Sequence, residues 1–148
     1  MWSRYRTLLL GLGALTLVAI LVGVALLREP VTLDPSTPEG TVQAYLQALA
    51  DAEYETAWNL IDPESKEHCV VSDLALTVSD RSFAAVIGDA TINDGTAVVP
   101  VTMSDPSTPG PFDPGQNGFE TVFALVTSDG GWMITDDPWP YFEWRCDE

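Results

Sequence analysis

Twenty consecutive residues, 8–27, carry no charge and a single hydroxyl, that of Thr16. A helix of that length rises about 30 Å, the hydrocarbon thickness of a bilayer. The run therefore reads as a transmembrane helix over 8–28 with residues 1–7 as a cytoplasmic tail. Arg4 and Arg6 precede it, whereas Arg28 is followed at once by Glu29 and a long stretch poor in basic residues. The positive-inside bias then places the N-terminus in the cytoplasm and the remaining chain outside it, at the cell membrane. A cleaved signal peptide would have an apolar core of about 7 to 15 residues ending in a small-x-small site. This run is longer, and only Val24 with Ala25 hints at such a site. No cysteine closes the run, so a lipid-modified N-terminus is not expected. Ala19 and Gly23 form one small-xxx-small pair, which in a span containing several small residues is an incidental feature.

About 120 residues follow the span, enough for one domain with one modest core. Beyond residue 28 the basic side chains are Lys66, Arg81 and Arg145, and set against all 22 acids they leave a net charge of −19. Nucleic acid and anionic lipid are poor partners for such a surface. The acids are scattered rather than blocked, as on a solvated exterior.

Cys69 and Cys146 are the two cysteines, and both fall on the expected outer side, where oxidising conditions favour a disulfide. A reactive thiol at Cys69 beside His68 is the competing reading, but no third orienting group is apparent. One histidine is also too few for a zinc site. Calcium at Asp105, Asp113 or the Asp136–Asp137 pair lacks ligand-dense spacing. No phosphate loop, nucleophile elbow, metalloprotease motif or other cofactor signature is present.

Residues 29–37 form an extended, proline-rich stalk, with Pro30 and Pro35 inside it and Pro38 closing it. Ser36 or Thr37, followed by Pro38 and Glu39, is a helix start. Val42, Tyr45, Leu46 and Leu49 then predict one apolar helical face. Tyr54, Ala57, Trp58 and Ile61 predict a second, with a break near 51–53 and a stop at Asp62–Pro63. Leu74, Leu76 and Val78 alternate as in a strand, although a short helix also fits. Segments 83–92 and 96–103 flank Asn93-Asp94-Gly95, a hairpin signal, and Pro100 implies an edge or a bulge. Ala97, Val99, Val101 and Met103 share one face. Residues 104–118, with four prolines and three glycines, read as an irregular loop. Segments 119–127 and 132–135 form a second hairpin with Phe119, Phe123 and Leu125 on one face. The aromatic tail holding Trp139, Tyr141, Phe142 and Trp144 is expected to seal the body, pinned by Cys146. Helices first and antiparallel strands after make an α+β domain over 38–148.

The stretch TPEGTVQAYLQALADAEYETAWNLI at 37–61, together with FALVTSDGGWMI at 123–134, resembles the NTF2-like, cystatin-like superfamily, and above all its membrane-anchored bacterial envelope members of unknown function. The resemblance covers roughly residues 37–137. It implies N-terminal helices packed on a curved antiparallel sheet to make a cone with an apolar pocket. Tyr45, Leu49, Tyr54, Trp58, Phe123 and Trp132 are the candidate lining. The superfamily holds isomerases, cyclases and dehydratases as well as members without catalysis. Here no Asp, Glu or His falls on the inward face of the best strands. The expected function is a non-catalytic envelope domain that binds a protein partner or an apolar, lipid-like ligand. The alternative is a small-molecule isomerase, cyclase or dehydratase using a pocket acid with Tyr45 or Tyr54 as donor. A reporter that is active only outside the cytoplasm, fused after Glu148, is expected to be active in growing cells. Activity of a cytoplasm-restricted reporter at that position would overturn the orientation.

Overall fold

The computed structural model describes residues 32–78, 82–104, 118–128, 130–136, 138–141 and 146. The apolar run at 8–27, residues 29–31 of the expected stalk, the interior of the 104–118 loop, and Phe142 and Trp144 lie outside the described residues. The described part of that stalk is not extended at 34–37, where the Thr37 amide donates to the Asp34 carbonyl at 3.0 Å and closes a turn, and the Leu33 amide donates to the Gln43 side chain at 2.7 Å. Among the described residues no helix is long and apolar enough to cross a membrane.

The first helix, α1 (Pro38–Ala50), starts where its capping residues demand. The Thr37 hydroxyl accepts from the Gly40 amide at 3.1 Å, Pro38 opens the helix, and Glu39 sits near the positive end of the dipole. The preceding turn folds tightly onto this first turn. A Cβ on Gly40 would collide with the Asp34 carbonyl, so only glycine fits there. Ala52 at φ 59° breaks the helical path, and α2 (Tyr54–Asn59) follows. After a 3-10 turn (Glu64–Lys66) comes α3 (Val71–Val78), so the helical reading of 74–78 prevails over the strand. Leu74, Thr77 and Val78 are buried while Leu76 is exposed, a spacing of three and four rather than two. Thr77 enters the core because its hydroxyl donates to the Asp73 carbonyl at 2.8 Å.

The strands are β1 (Ala84–Ile87), β2 (Thr91–Asn93), β3 (Thr96–Ser104), β4 (Gly118–Ser128) and β5 (Gly131–Thr135). All pairings are antiparallel, in the order β1-β3-β4-β5, with β2 also on β3. β1 and β2 are one edge interrupted by a bulge. Ile87 opposes Val101 and Thr91 opposes Val98, so three residues on one side face two on the other. This explains a proline in a central strand. The Pro100 carbonyl accepts from Gly88 at 2.8 Å, so its missing donor points into the bulge, where no ladder bond is lost. Asp94 and Gly95 take the β2–β3 turn with φ 43° and 82°, the left-handed geometry read from Asn93-Asp94-Gly95.

Alternation along β3 buries Ala97, Val99, Val101 and Met103, and along β4 it buries Thr121, Phe123 and Leu125. Phe119 shares that face, but it lies at the end of the strand and stays exposed. The apolar stripe of α1 covers this inner face and touches β1, β3 and β5. Those strands span about 14 Å, more than one helix about 10 Å across can cover on a flat sheet, so the sheet must curl around α1. The β5 edge is closed by main chain: Ile134 donates to Leu60 at 2.9 Å and Asp62 donates to Ile134 at 2.7 Å. At the opposite edge, the Glu39 carboxylate accepts from the Ala90 amide in the bulge at 2.8 Å.

Cys69 and Cys146 are bonded, with their Cα atoms 4.6 Å apart. The bridge closes a loop with a sequence separation of 77 residues between the start of α3 and the C-terminal tail. Chain entropy assigns such a loop about 4.5 kcal/mol, a large part of a small domain's margin of about 5–15 kcal/mol. Pairing Cys69→Ser with Cys146→Ser is expected to lower the unfolding free energy by up to that amount in denaturant titrations. An unchanged midpoint would show that the bridge adds nothing to stability.

Candidate functional site

The concave side of the sheet is occupied by side chains of the protein itself. Tyr45, Leu49, Ile61, Leu74, Met103, Phe123, Leu125 and Ile134 are each no more than 2 % exposed. Tyr45 stands edge-on to Phe123 with ring centroids 5.9 Å apart, and its hydroxyl donates to the Trp139 carbonyl at 3.1 Å. Trp139 is itself buried and meets Phe83 edge-on at 4.8 Å, so this part of the tail does seal the body. Tyr141 remains about half exposed, while its hydroxyl and that of Thr121 share a hydrogen bond of 2.8 Å.

The six candidate lining residues therefore separate. Tyr45, Leu49 and Phe123 are core, Trp132 is half-buried on β5, and Tyr54 and Trp58 reach the surface between α2 and α3. Among the described residues the buried polar side chains are Thr41, Thr77 and Thr121, so no described carboxylate faces the Tyr45 hydroxyl from inside. His68 is exposed, and its neighbour Cys69 is held in the disulfide. No group of three or more metal-ligating side chains assembles among the described residues. Asp105, Asp113 and Asp137 lie outside them.

Two other regions expose apolar surface. The first is the outer face of the sheet. Register and alternation turn Val86, Val98, Pro100, Val122, Ala124, Val126 and Met133 to this side. Val86 is 71 % exposed, Val122 57 % and Val98 45 %. Ala84, Thr91, Asn93, Thr96, Thr102, Ser104, Ser128 and Thr135 share this face with Gly118 and Gly131, and Glu120 is the one charge among its paired positions on a chain with 22 acids. Alternation called the inner face of these strands correctly, but it gives no reason for valines on the outer one. An apolar residue at every second outward position was the signal available in the sequence.

The second region is the seam between α2 and α3, where two adjoining concavities of about 470 and 410 Å³ share Glu55 and Val71. Trp58 lines one and Tyr54 the other. Lys66 folds beside them: its amine donates to the Trp58 carbonyl at 2.6 Å and lies 5.2 Å from the Trp58 ring centroid. Burial lowers the Lys66 pKa, and the Asp62 carboxylate opposes that shift. At the approach to α1, the Ser36 hydroxyl and then its amide hold the Asp34 carboxyl below its ordinary value. Sequence reading missed this seam because its walls belong to separate helices brought together only by folding.

If Tyr45 is a packing residue, Tyr45→Phe keeps the ring and deprives the Trp139 carbonyl of its donor, costing about 1 kcal/mol. Tyr45→Ala also opens a cavity and costs about 3–5 kcal/mol. Denaturant titration of the two variants measures both losses. Equal stability of Tyr45→Ala and the parent would contradict a filled interior.

No protein-family model matches the chain, and no curated protein is significantly similar to it. A solved structure of an LEH-like epoxide hydrolase from M. tuberculosis is similar to it, at 16 % identity and a TM-score of 0.39, over 75 % of this chain and 87 % of that one.

Proposed function

We propose that the chain is a non-catalytic, NTF2-like binding domain held outside the cytoplasm by one N-terminal span, and that it docks an envelope protein on the outer face of its sheet. The observation that carries this reading is the composition of that face. An acidic domain that spreads carboxylates over its surface leaves them off four adjacent strands, apart from Glu120, and sets exposed valines there instead.

Exposed valine on one residue is ordinary, whereas a contiguous patch is the mark of an interaction surface. Four strands about 4.8 Å apart and about five residues long make roughly 300 Å². A standard interface buries about 800 Å² per partner, so the patch supplies the apolar centre and the surrounding threonines and serines the polar rim. A protein suits this surface better than a small apolar ligand does. The face is the convex side of a curled sheet, whereas ligand sites are concave and bury about 70–90 % of the molecule they hold. The uncharged run at 8–27 supports the reading because a segment of that length and composition suits a membrane span that would hold the domain outside the cytoplasm.

A photo-reactive side chain at Val122 of the full chain, in its native membrane, is expected to yield an adduct of defined mass. Val98→Asp should abolish that adduct by placing a charge at the centre of the contact. The same probe at Gln47, exposed on α1 and outside both the sheet face and the α2–α3 seam, should give none. Identical adducts from Gln47, or none from Val122, would overturn the proposal.

A further inference from the structure

The seam between α2 and α3 has a chemistry of its own, and it lies away from the sheet face. Its floor is apolar: Tyr54, Trp58, Val70 and Val71 line the two concavities, and Val70 is 59 % exposed at the surface. Its rim is acidic. Glu53 and Glu55 are exposed, Glu55 borders both concavities, and neither carboxylate has a hydrogen-bond or ion-pair partner among the described residues. The neighbouring acids are committed elsewhere. Asp73 accepts from the Val70 amide at 2.8 Å, Asp62 from Glu64 at 3.0 Å, and Asp51 from Gln47 at 2.8 Å.

Over residues 51–78 the chain carries seven acids, and Lys66 is the one lysine or arginine. Its amine is already spent on the Trp58 carbonyl and stands by the Trp58 ring. That local arrangement shows the indole and its surroundings accepting a cation from this protein. Cys69 forms part of the wall of the second concavity, so the disulfide ties the groove to the C-terminal tail.

From this juxtaposition we infer that the α2–α3 groove is a docking site for a short cationic peptide segment, an apolar side chain seating on Tyr54, Trp58 and Val70 while flanking lysines or arginines meet Glu53 and Glu55. The eight residues of α3 run about 12 Å, the length of three or four residues of extended chain. The occupant is therefore a short motif rather than a domain. Apolar seating and charge pairing act together: the first gives depth and the second gives sign, as in other peptide-recognition grooves.

The test uses the full chain in discs of zwitterionic lipid and three probes, acetyl-Lys-Leu-Lys-amide and its analogues with Gly for Leu or Glu for both lysines. Binding is followed by amide shifts at low salt. The Lys-Leu-Lys peptide is expected to bind at least about tenfold more tightly than either analogue, with shifts at Tyr54, Trp58 and Val70. Glu53→Gln with Glu55→Gln should weaken it about five- to tenfold, and 0.5 M salt should have a similar effect, since exposed ion pairs are modest and screened. Glu64→Gln with Glu67→Gln removes the same charge outside the groove and should leave binding unchanged. Equal weakening by that control, or equal binding of the glycine analogue, would overturn the inference. Val98→Asp should have no effect on the peptide, so failure here and failure of the sheet-face reading are separately visible.

Discussion

The packing of one helix face on the concave side of the sheet is the constraint from which the rest of the molecule follows. Val42, Tyr45, Leu46 and Leu49 present a stripe along a helix of 13 residues, and strands on both sides of the sheet must reach it. Curling satisfies that demand, and curling in turn requires the bulge at 88–90 and a bend that Pro100 can tolerate. With the helix seated, Tyr45 meets Phe123 and the Trp139 carbonyl, and the space beneath the sheet is occupied. A core residue of this kind is worth about 3–5 kcal/mol, a substantial fraction of the stability of a domain this small. The two contacts proposed for this domain accordingly lie on the convex sheet face and in the helical seam.

The backbone was most legible where short-range chemistry decides the conformation. Asn93-Asp94-Gly95 forms its turn because Asp and Gly accept positive φ, and Thr37-Pro38-Glu39 starts a helix because the hydroxyl, the ring and the acid each suit its first turn. Pro100 implied an edge or a bulge, and the structure places it in a central strand facing a bulge. Residues 74–78 were ambiguous for a physical reason. Leu74, Leu76 and Val78 satisfy a period of two, while the helical stripe runs through Thr77, a polar letter that hides in the core by bonding its own backbone. Thr121 is likewise a buried polar letter on β4, but its partner is the Tyr141 hydroxyl twenty residues away.

The candidate surfaces were less legible than the backbone. Alternation identifies which side of a strand is buried, but valines on the opposite side read as noise until four strands place them together. The helical seam is less visible still, because Tyr54 and Trp58 fit a core stripe as well as they fit a groove. Only the approach of α3, tied at Cys69, decides which side of each ring is covered. The disulfide itself was legible from compartment chemistry, which rests on the apolar run at 8–27.

A direct measurement of the central claim is methyl NMR of the full chain titrated with small apolar probes such as indole and octanol. If the interior is filled by its own side chains, the methyl signals of Leu49, Val99, Val101, Leu125 and Ile134 stay fixed across the titration while surface methyls shift weakly and without saturation. Saturable shifts confined to those five residues would reveal a ligand-accessible cavity beneath the sheet and contradict the account.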